Sequence, residues 1–287
     1  MNNNFTQLGL GTSTIASFGR SMSYVQAKKI FDTALNFNIR TIDTSDTYGS
    51  GDAERLIGKI IKNKRNDAFI ISKVGYPYLS LPAILSPLNQ IGKKVLQGLR
   101  VKKCFKKEYI LSNIEKSLKR LNINYLDAYL LHDLLSEDFS QYNDECFEAL
   151  YLIKKKGLSR FIGVSSNDYE ALNFAVNNIN LDFMQTRMIF EKKTDQLFNK
   201  AKKKGYKLIV NSILKQKINN NLNTKINQLL ENFNIPIEHK KTILITYSII
   251  QKNVDCALFR TTNINHLNLI GTGYEKYKNN FLKLFTE

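Results

Sequence analysis

The chain has 287 residues, 43% of them hydrophobic, and a formal net charge of +17. That length and apolar content suffice for a sizeable buried core and exclude both a disordered chain and a small disulfide-stapled fold. The basic surplus implies attraction to polyanions, but arginines and aromatics are not interleaved in one patch and no nucleic-acid module is recognisable, so no specific nucleic-acid partner is expected.

The opening MNNNFTQLGLG has neither a basic start nor an apolar stretch of the signal-peptide kind. No run reaches the roughly 20 apolar residues of a membrane span. A soluble, cytoplasmic protein without membrane attachment is expected. Short apolar strands then recur at 7–11, 40–44, 68–73, 126–131, 160–164, 181–185, 206–210 and 255–259. Segments with helical spacing separate them, among them 23–37, 107–121, 143–156 and 194–205. Ser23 with Gln26 makes a capping box for the first of these. Gly157 and Gly205 follow lysine runs, the chemistry of a helix C-terminus. Cys104, Cys146 and Cys256 contain no CxxC pair and read as small buried apolar residues.

Strands alternating with helices at this rhythm imply parallel βαβ units, and eight of them indicate an α/β fold of the (β/α)8 barrel type, a single domain over residues 1–287. A doubly wound sheet is the rival. It would carry GxGxxG after its first strand, whereas Gly9, Gly11 and Gly19 are wrongly spaced. Two connections exceed the rhythm: a loop at about 75–107, with seven Lys or Arg and no Asp or Glu, and the segment 211–224. Both leave strand ends where barrel sites form.

Those strand ends collect ionisable residues. Asp43 closes the second strand with Tyr48 five residues on, Lys73 closes the third and His132 the fourth. A phenol is a poor acid at neutral pH, and an adjacent ammonium is expected to favour its phenolate. Tyr48 would then give a proton to a developing alkoxide, Asp43 would neutralise Lys73, and His132 would bond or orient the substrate oxygen. Each residue alone has an ordinary structural reading; their conjunction on three successive strands points to chemistry.

The motifs TIDTSDTYGSGDAERLIGK, IISKVG, LDAYLLH, FIGVSS and DFMQ resemble, in order, the aldo-keto reductase family over roughly residues 6–185. The resemblance implies a (β/α)8 barrel that passes hydride from NADPH to a carbonyl carbon. Asp43, Tyr48, Lys73 and His132 fall on its tetrad, with Tyr48 as acid or base. Ser165, Ser166 and Gln185 fall on positions that hold the nicotinamide carboxamide, although SSND leaves Ser166 and Asn167 as alternatives. The loop after the seventh strand keeps Ser212 and Leu214 but lacks the family's Pro and Gly; Lys215 or Lys217 would meet the pyrophosphate there. Arg260 and Thr261 take the positions that grip the adenosine 2′-phosphate, while His266 stands where the family has Arg. Leu269 and Ile270 replace Glu and Asn. NADPH is therefore the expected cofactor, with NADH as the alternative.

A short tail after this segment shifts substrate selection onto the basic loop. Tyr76, Tyr78, Leu79 and Leu81 are candidates for an apolar wall, and Lys93, Lys94, Arg100, Lys102 and Lys103 for an anion site, which suits a phosphorylated or nucleotide-linked sugar. The partner is then a small-molecule carbonyl substrate, an anionic one among the candidates, and the chain a monomer or small homo-oligomer. A non-catalytic NADP(H)-sensing or scaffold protein on the same barrel remains open, as does a Schiff-base lyase on Lys73, which Asp43 disfavours by keeping the amine protonated. Three histidines without helical pairing give no reason to expect a metal.

Overall fold

The computed structural model describes residues 4–16, 22–77, 102–142, 144–215 and 220–285. Tyr78, Leu79, Leu81, Lys93, Lys94, Arg100 and Lys217 lie outside the described residues. Eight parallel strands form one closed barrel in chain order. They are β1 (Leu8–Gly11), β2 (Thr41–Asp43), β3 (Phe69–Val74), β4 (Leu126–His132), β5 (Ser159–Ser165), β6 (Phe183–Arg187), β7 (Lys207–Asn211) and β8 (Cys256–Phe259), with β1 hydrogen-bonded to β8. All eight expected strands are present, each end within two residues of its expected place.

Around the barrel run α1 (Tyr24–Asn36), α2 (Asp52–Ile61), α3 (Lys107–Leu121), α4 (Ser136–Tyr142), α5 (Glu145–Lys155), α6 (Tyr169–Asn178), α7 (Lys192–Lys203), α8 (Asn220–Asn232), α9 (Lys240–Gln251) and α10 (Ile264–Phe285). The capping box at α1 is formed: Gln26 N donates to Ser23 Oγ at 3.2 Å and Ser23 N to Gln26 Oε1 at 3.0 Å. Ala27, Ile30, Phe31 and Ala34 make its buried stripe. Gly157 and Gly205 end α5 and α7 with φ of 71° and 86°. One expectation is corrected: much of the connection 211–224 is not loop, because α8 begins at Asn220. Its asparagines are weak helix formers, but Leu222, Ile226, Leu229 and Leu230 bury one face, and tertiary packing decides.

The closed sheet has a single interior, and alternate residues of each strand point into it. Phe69, Ile71, Ala128, Leu130, Phe183, Ile209, Cys256 and Leu258 form a buried cluster of their own, separate from the larger core between strands and helices. Phe5 packs against it, its ring 5.0 Å from that of Phe69 and 5.1 Å from that of Phe183. Glycine makes room: a Cβ on Gly163 would press on the carbonyl oxygen of Phe183 and lie 2.8 Å from Leu130 Cδ2.

At the opposite ends, three aspartates latch neighbouring strands together. Asp127, Asp182 and Asp255 accept from the backbone N–H of Ile70 (2.8 Å), Ile162 (2.9 Å) and Leu208 (2.8 Å) respectively. Each also takes basic partners: Arg65 and Arg160 at Asp127, Lys154 at Asp182, Lys202 and Lys207 at Asp255. Tyr125 is stacked between the two guanidinium groups at 4.5 and 4.2 Å.

The packing around Gly163 sets a test. Gly163→Ala is expected to cost about 1–3 kcal/mol through overpacking. Gly157→Ala, with nothing within 4 Å, is expected to cost about 1 kcal/mol through its left-handed backbone alone. Thermal unfolding of both variants checks the order; a larger loss at Gly157 would contradict the packing account.

Candidate active site

The interior alternation that stacks Phe69 and Ile71 brings Lys73 next along β3, and the same step places Asp43, His132, Ser165 and Gln185 toward the carboxyl ends of β2, β4, β5 and β6. Register aligns them: His132 lies opposite Ser165, and Ser165 opposite Gln185. Tyr48 comes from the turn Tyr48–Gly51, where Gly49 has φ 60°. A Cβ there would sit 2.7 Å from Ala16 Cβ, so the reversal requires glycine.

Lys73 Nζ lies 2.6 Å from Asp43 Oδ1 and donates to Thr44 O at 2.8 Å. Gln185 Nε2 donates to the same Asp43 oxygen at 3.1 Å. The pair is almost wholly out of water, where ions persist only with such partners. Burial alone would lower the Lys73 ammonium, but Asp43 first, then Tyr48 and Asp133, outweigh it and hold Lys73 above the ordinary lysine value. The ammonium stands 5.4 Å from the centre of the Tyr48 ring.

Tyr48 itself corrects an expectation. Burial, reinforced by Asp43 and Asp133, outweighs the pull of Lys73, and the phenol stands above its usual value. The ammonium that was expected to favour phenolate has its charge matched by Asp43, while removal from water favours the neutral ring.

His132 meets Ser45 Oγ through Nδ1 at 3.1 Å and packs edge-on against Tyr48 and Tyr76, ring centres 6.0 and 5.6 Å away. Ser45 Oγ also donates to Asp46 Oδ1 at 3.2 Å. Asp46 is fully buried, and its Oδ2 has no hydrogen-bond partner. Burial first, then the charge of Glu54, hold its carboxyl well above the ordinary range against the opposing pull of Arg120. Glu54 is fully engaged, accepting from Ser72 Oγ at 2.6 Å and Arg120 Nε at 2.7 Å.

These groups open onto a cavity of about 370 Å3. Among the expected site residues, Asp43, Tyr48, Lys73, His132, Ser165, Asn167, Gln185, Ser212, Leu214 and Arg260 all line it; Ser166 and Thr261 do not. Ser166 is buried, donating to Leu134 O and accepting from Asp168 N, so Asn167 is the member of that pair that faces the cavity. Thr261 turns the chain toward α10 by accepting from Asn263 N at 3.0 Å. It lines an adjoining hollow of about 900 Å3 with Lys29, His266 and Arg260, the last shared by both spaces. Gln185 Oε1 is buried without a partner.

Asp133, Ser45 and Lys29 were not singled out in the sequence. Asp133 was visible beside His132 in YLLHD, but only the structure turns it onto the cavity. Lys103, expected in an anion site, is instead paired with Asp138 at 2.8 Å. Among the described residues, no group of three or more His, Cys, Asp or Glu is placed to hold a metal, and no helix is long and apolar enough to cross a membrane.

Comparison with known proteins gives a family and a fold. The sequence model described as "Aldo/keto reductase family" matches residues 7–258. D-threo-aldose 1-dehydrogenase of a Pseudomonas species is 28% identical over 182 residues, 62% of this chain and 55% of that protein. The chain thus spans about half the length of the curated relatives it matches. Among solved structures, the holo form of aldo-keto reductase AKR11C1 from Bacillus halodurans superposes with a TM-score of 0.71 at 20% identity, covering 97% of this chain and 91% of that one. An aldo/keto reductase from Klebsiella pneumoniae, in complex with NADP and acetate, gives 0.66 at 20% identity, covering 97% and 91%. At these identities the structural likeness is one of fold.

Asp46 carries a pH-dependent expectation. Its raised folded value means that the carboxyl contributes stability below the unfolded value near 3.8 and loses that contribution as pH rises through the folded value. Asp46→Asn removes the ionisation, so the variant should be the more stable at pH 8, by about 1–3 kcal/mol, with the gap closing toward pH 4. Melting curves across that range decide; a gap that widened on acidification would reverse the sign.

Proposed function

The chain belongs to the aldo/keto reductase family, and from that premise we propose that it is an NADP(H)-dependent oxidoreductase that reduces the carbonyl of a small aldehyde, ketone or sugar to an alcohol. The observation that carries this reading is the buried Asp43–Lys73 pair beside the half-buried Tyr48, opening with His132 onto a cavity that is also lined by Gln185, whose Oε1 has no partner.

The residues fit such a cofactor. A buried amide oxygen without a donor suits the carboxamide of a nicotinamide, and Ser165 and Asn167 line the same space. Arg260, with Lys29, His266 and Thr261 in the adjoining hollow, offers cations and hydroxyls to phosphate. When bound, NADPH supplies the hydride.

The chain's own groups account for the rest. Tyr48, kept as a neutral phenol by its buried setting, is in the form that donates a proton to the oxygen on which charge develops. Lys73 stands beside it to stabilise the phenolate left behind, and Asp43 fixes the ammonium in place. His132, held at Nδ1 by Ser45, is set to hydrogen-bond the same substrate oxygen. The sugar dehydrogenase among the relatives supports a carbonyl compound of that kind.

Fluorescence titration with NADPH and NADH tests the reading. Arg260→Ala is expected to weaken NADPH binding about 10–100-fold, the loss of one charged hydrogen-bonding group, and NADH binding less. Tyr48→Phe should still bind NADPH while kcat falls about 10²–10⁴-fold. Binding without turnover of any carbonyl compound by the wild-type protein would identify a nucleotide sensor on the same barrel; binding of neither nucleotide would sink both readings.

A further inference from the structure

Asp133 lines the cavity directly after His132 and has no part in the proton transfer described above. Its backbone lies in the left-handed region at φ 53°, a conformation aspartate tolerates at small cost. Two neighbours hold it there. Lys103 Nζ donates to its carbonyl oxygen at 2.7 Å, and the Tyr76 hydroxyl donates to its Oδ2 at 3.1 Å. Burial first, then the charge of Asp133, keep the Tyr76 phenol above its usual value, so that proton stays in the bond. Among the described residues Asp133 forms no ion pair, and its Oδ1 has no hydrogen-bond partner.

Among the described residues, the cations nearby are already matched. Lys73 is neutralised by Asp43 and Lys103 by Asp138. Lys215 and Arg260 also line the cavity, but they follow β7 and β8, across the barrel from β4. Among the described residues, the His132 side of the cavity therefore carries one pinned carboxylate without a paired cation, whose charge is felt at Tyr48 and Lys73.

We propose that Asp133, oriented by Tyr76, is a specificity-determining residue that selects an uncharged, hydroxylated carbonyl substrate and rejects an anionic one. The inference rests on the carbonyl-reductase reading and names its substrate class. A carboxylate accepts hydrogen bonds from substrate hydroxyls with charge-assisted strength. A substrate without hydroxyls strips water from the carboxylate and returns nothing, the situation in which a polar site discriminates most strongly. A phosphate or carboxylate in the same space meets a like charge. The net charge of +17 then collects anions around the protein without seating them in this cavity.

Propanal, glyceraldehyde and glyceraldehyde 3-phosphate share a three-carbon chain and differ in hydroxyl groups and charge. NADPH oxidation is followed with each, for the wild-type protein, Asp133→Asn and Asp133→Gly; glycine suits φ 53° without strain. The wild-type protein is expected to favour glyceraldehyde over both others by about tenfold or more in kcat/KM. Asp133→Asn should remove the discrimination against the phosphate, Asp133→Gly both preferences, and Tyr76→Phe should weaken the hydroxyl preference while the phosphate is still rejected. Turnover of all three with the same ratios in wild type and both Asp133 variants would overturn the proposal and leave the reductase reading standing. No NADPH oxidation with any of the three by the wild-type protein would overturn that reading, and the proposal with it.

Discussion

A parallel sheet that closes on itself has one inward face, and a charge buried on that face has to be matched. In the lower part of this barrel the face is filled by Phe69, Phe183, Leu130 and their neighbours. One step further along the same strands the positions are Asp43, Lys73, His132 and Gln185. The apolar layer beneath removes water from them, so an ammonium at Lys73 exists there only because Asp43 and Thr44 O receive it. The raised Tyr48 value follows first from that enclosure, whereas Lys73 is raised against it by Asp43, Tyr48 and Asp133.

Much of this was legible in the sequence because it depends on periodicity. Apolar strands spaced by helical segments specified the barrel, and strand ends located Asp43, Lys73 and His132. What escaped depends on orientation and on sums. Ser166 and Asn167 are adjacent, and only the turn after β5 shows that one bonds Leu134 while the other faces the cavity. The state of Tyr48 is a balance of burial, two carboxylates and one ammonium, and no spacing rule gives its sign. Helix α8 was hidden by its asparagines, although its leucines and isoleucine carry the helical interval.

The acidic residues explain how the basic surplus is displayed. Asp43, Asp46, Glu54, Asp127 and Asp138 are buried, and Asp182 and Asp255 are tied to strand backbones and lysines. Much of the negative charge is thus engaged in structure, which leaves lysines to dominate the solvated face. The same allocation makes the overall charge a poor guide to the cavity, where Asp43 matches Lys73 and Asp133 stands without an ion pair among the described residues.

The seam between β1 and β8 has a consequence for how the molecule is made. Asp182 grips Ile162 across 20 residues, whereas the Arg260 to Ser13 bond beside the cavity spans 247. Loop closure across that longer span costs about 2 kcal/mol more. During synthesis the chain emerges N-terminus first, so Asp43 and Lys73, on adjoining early strands, can meet while β8 is still inside the ribosome. The wall that bears Arg260 is added last. A ligand that touches both walls therefore finds its full set of contacts only in the finished barrel.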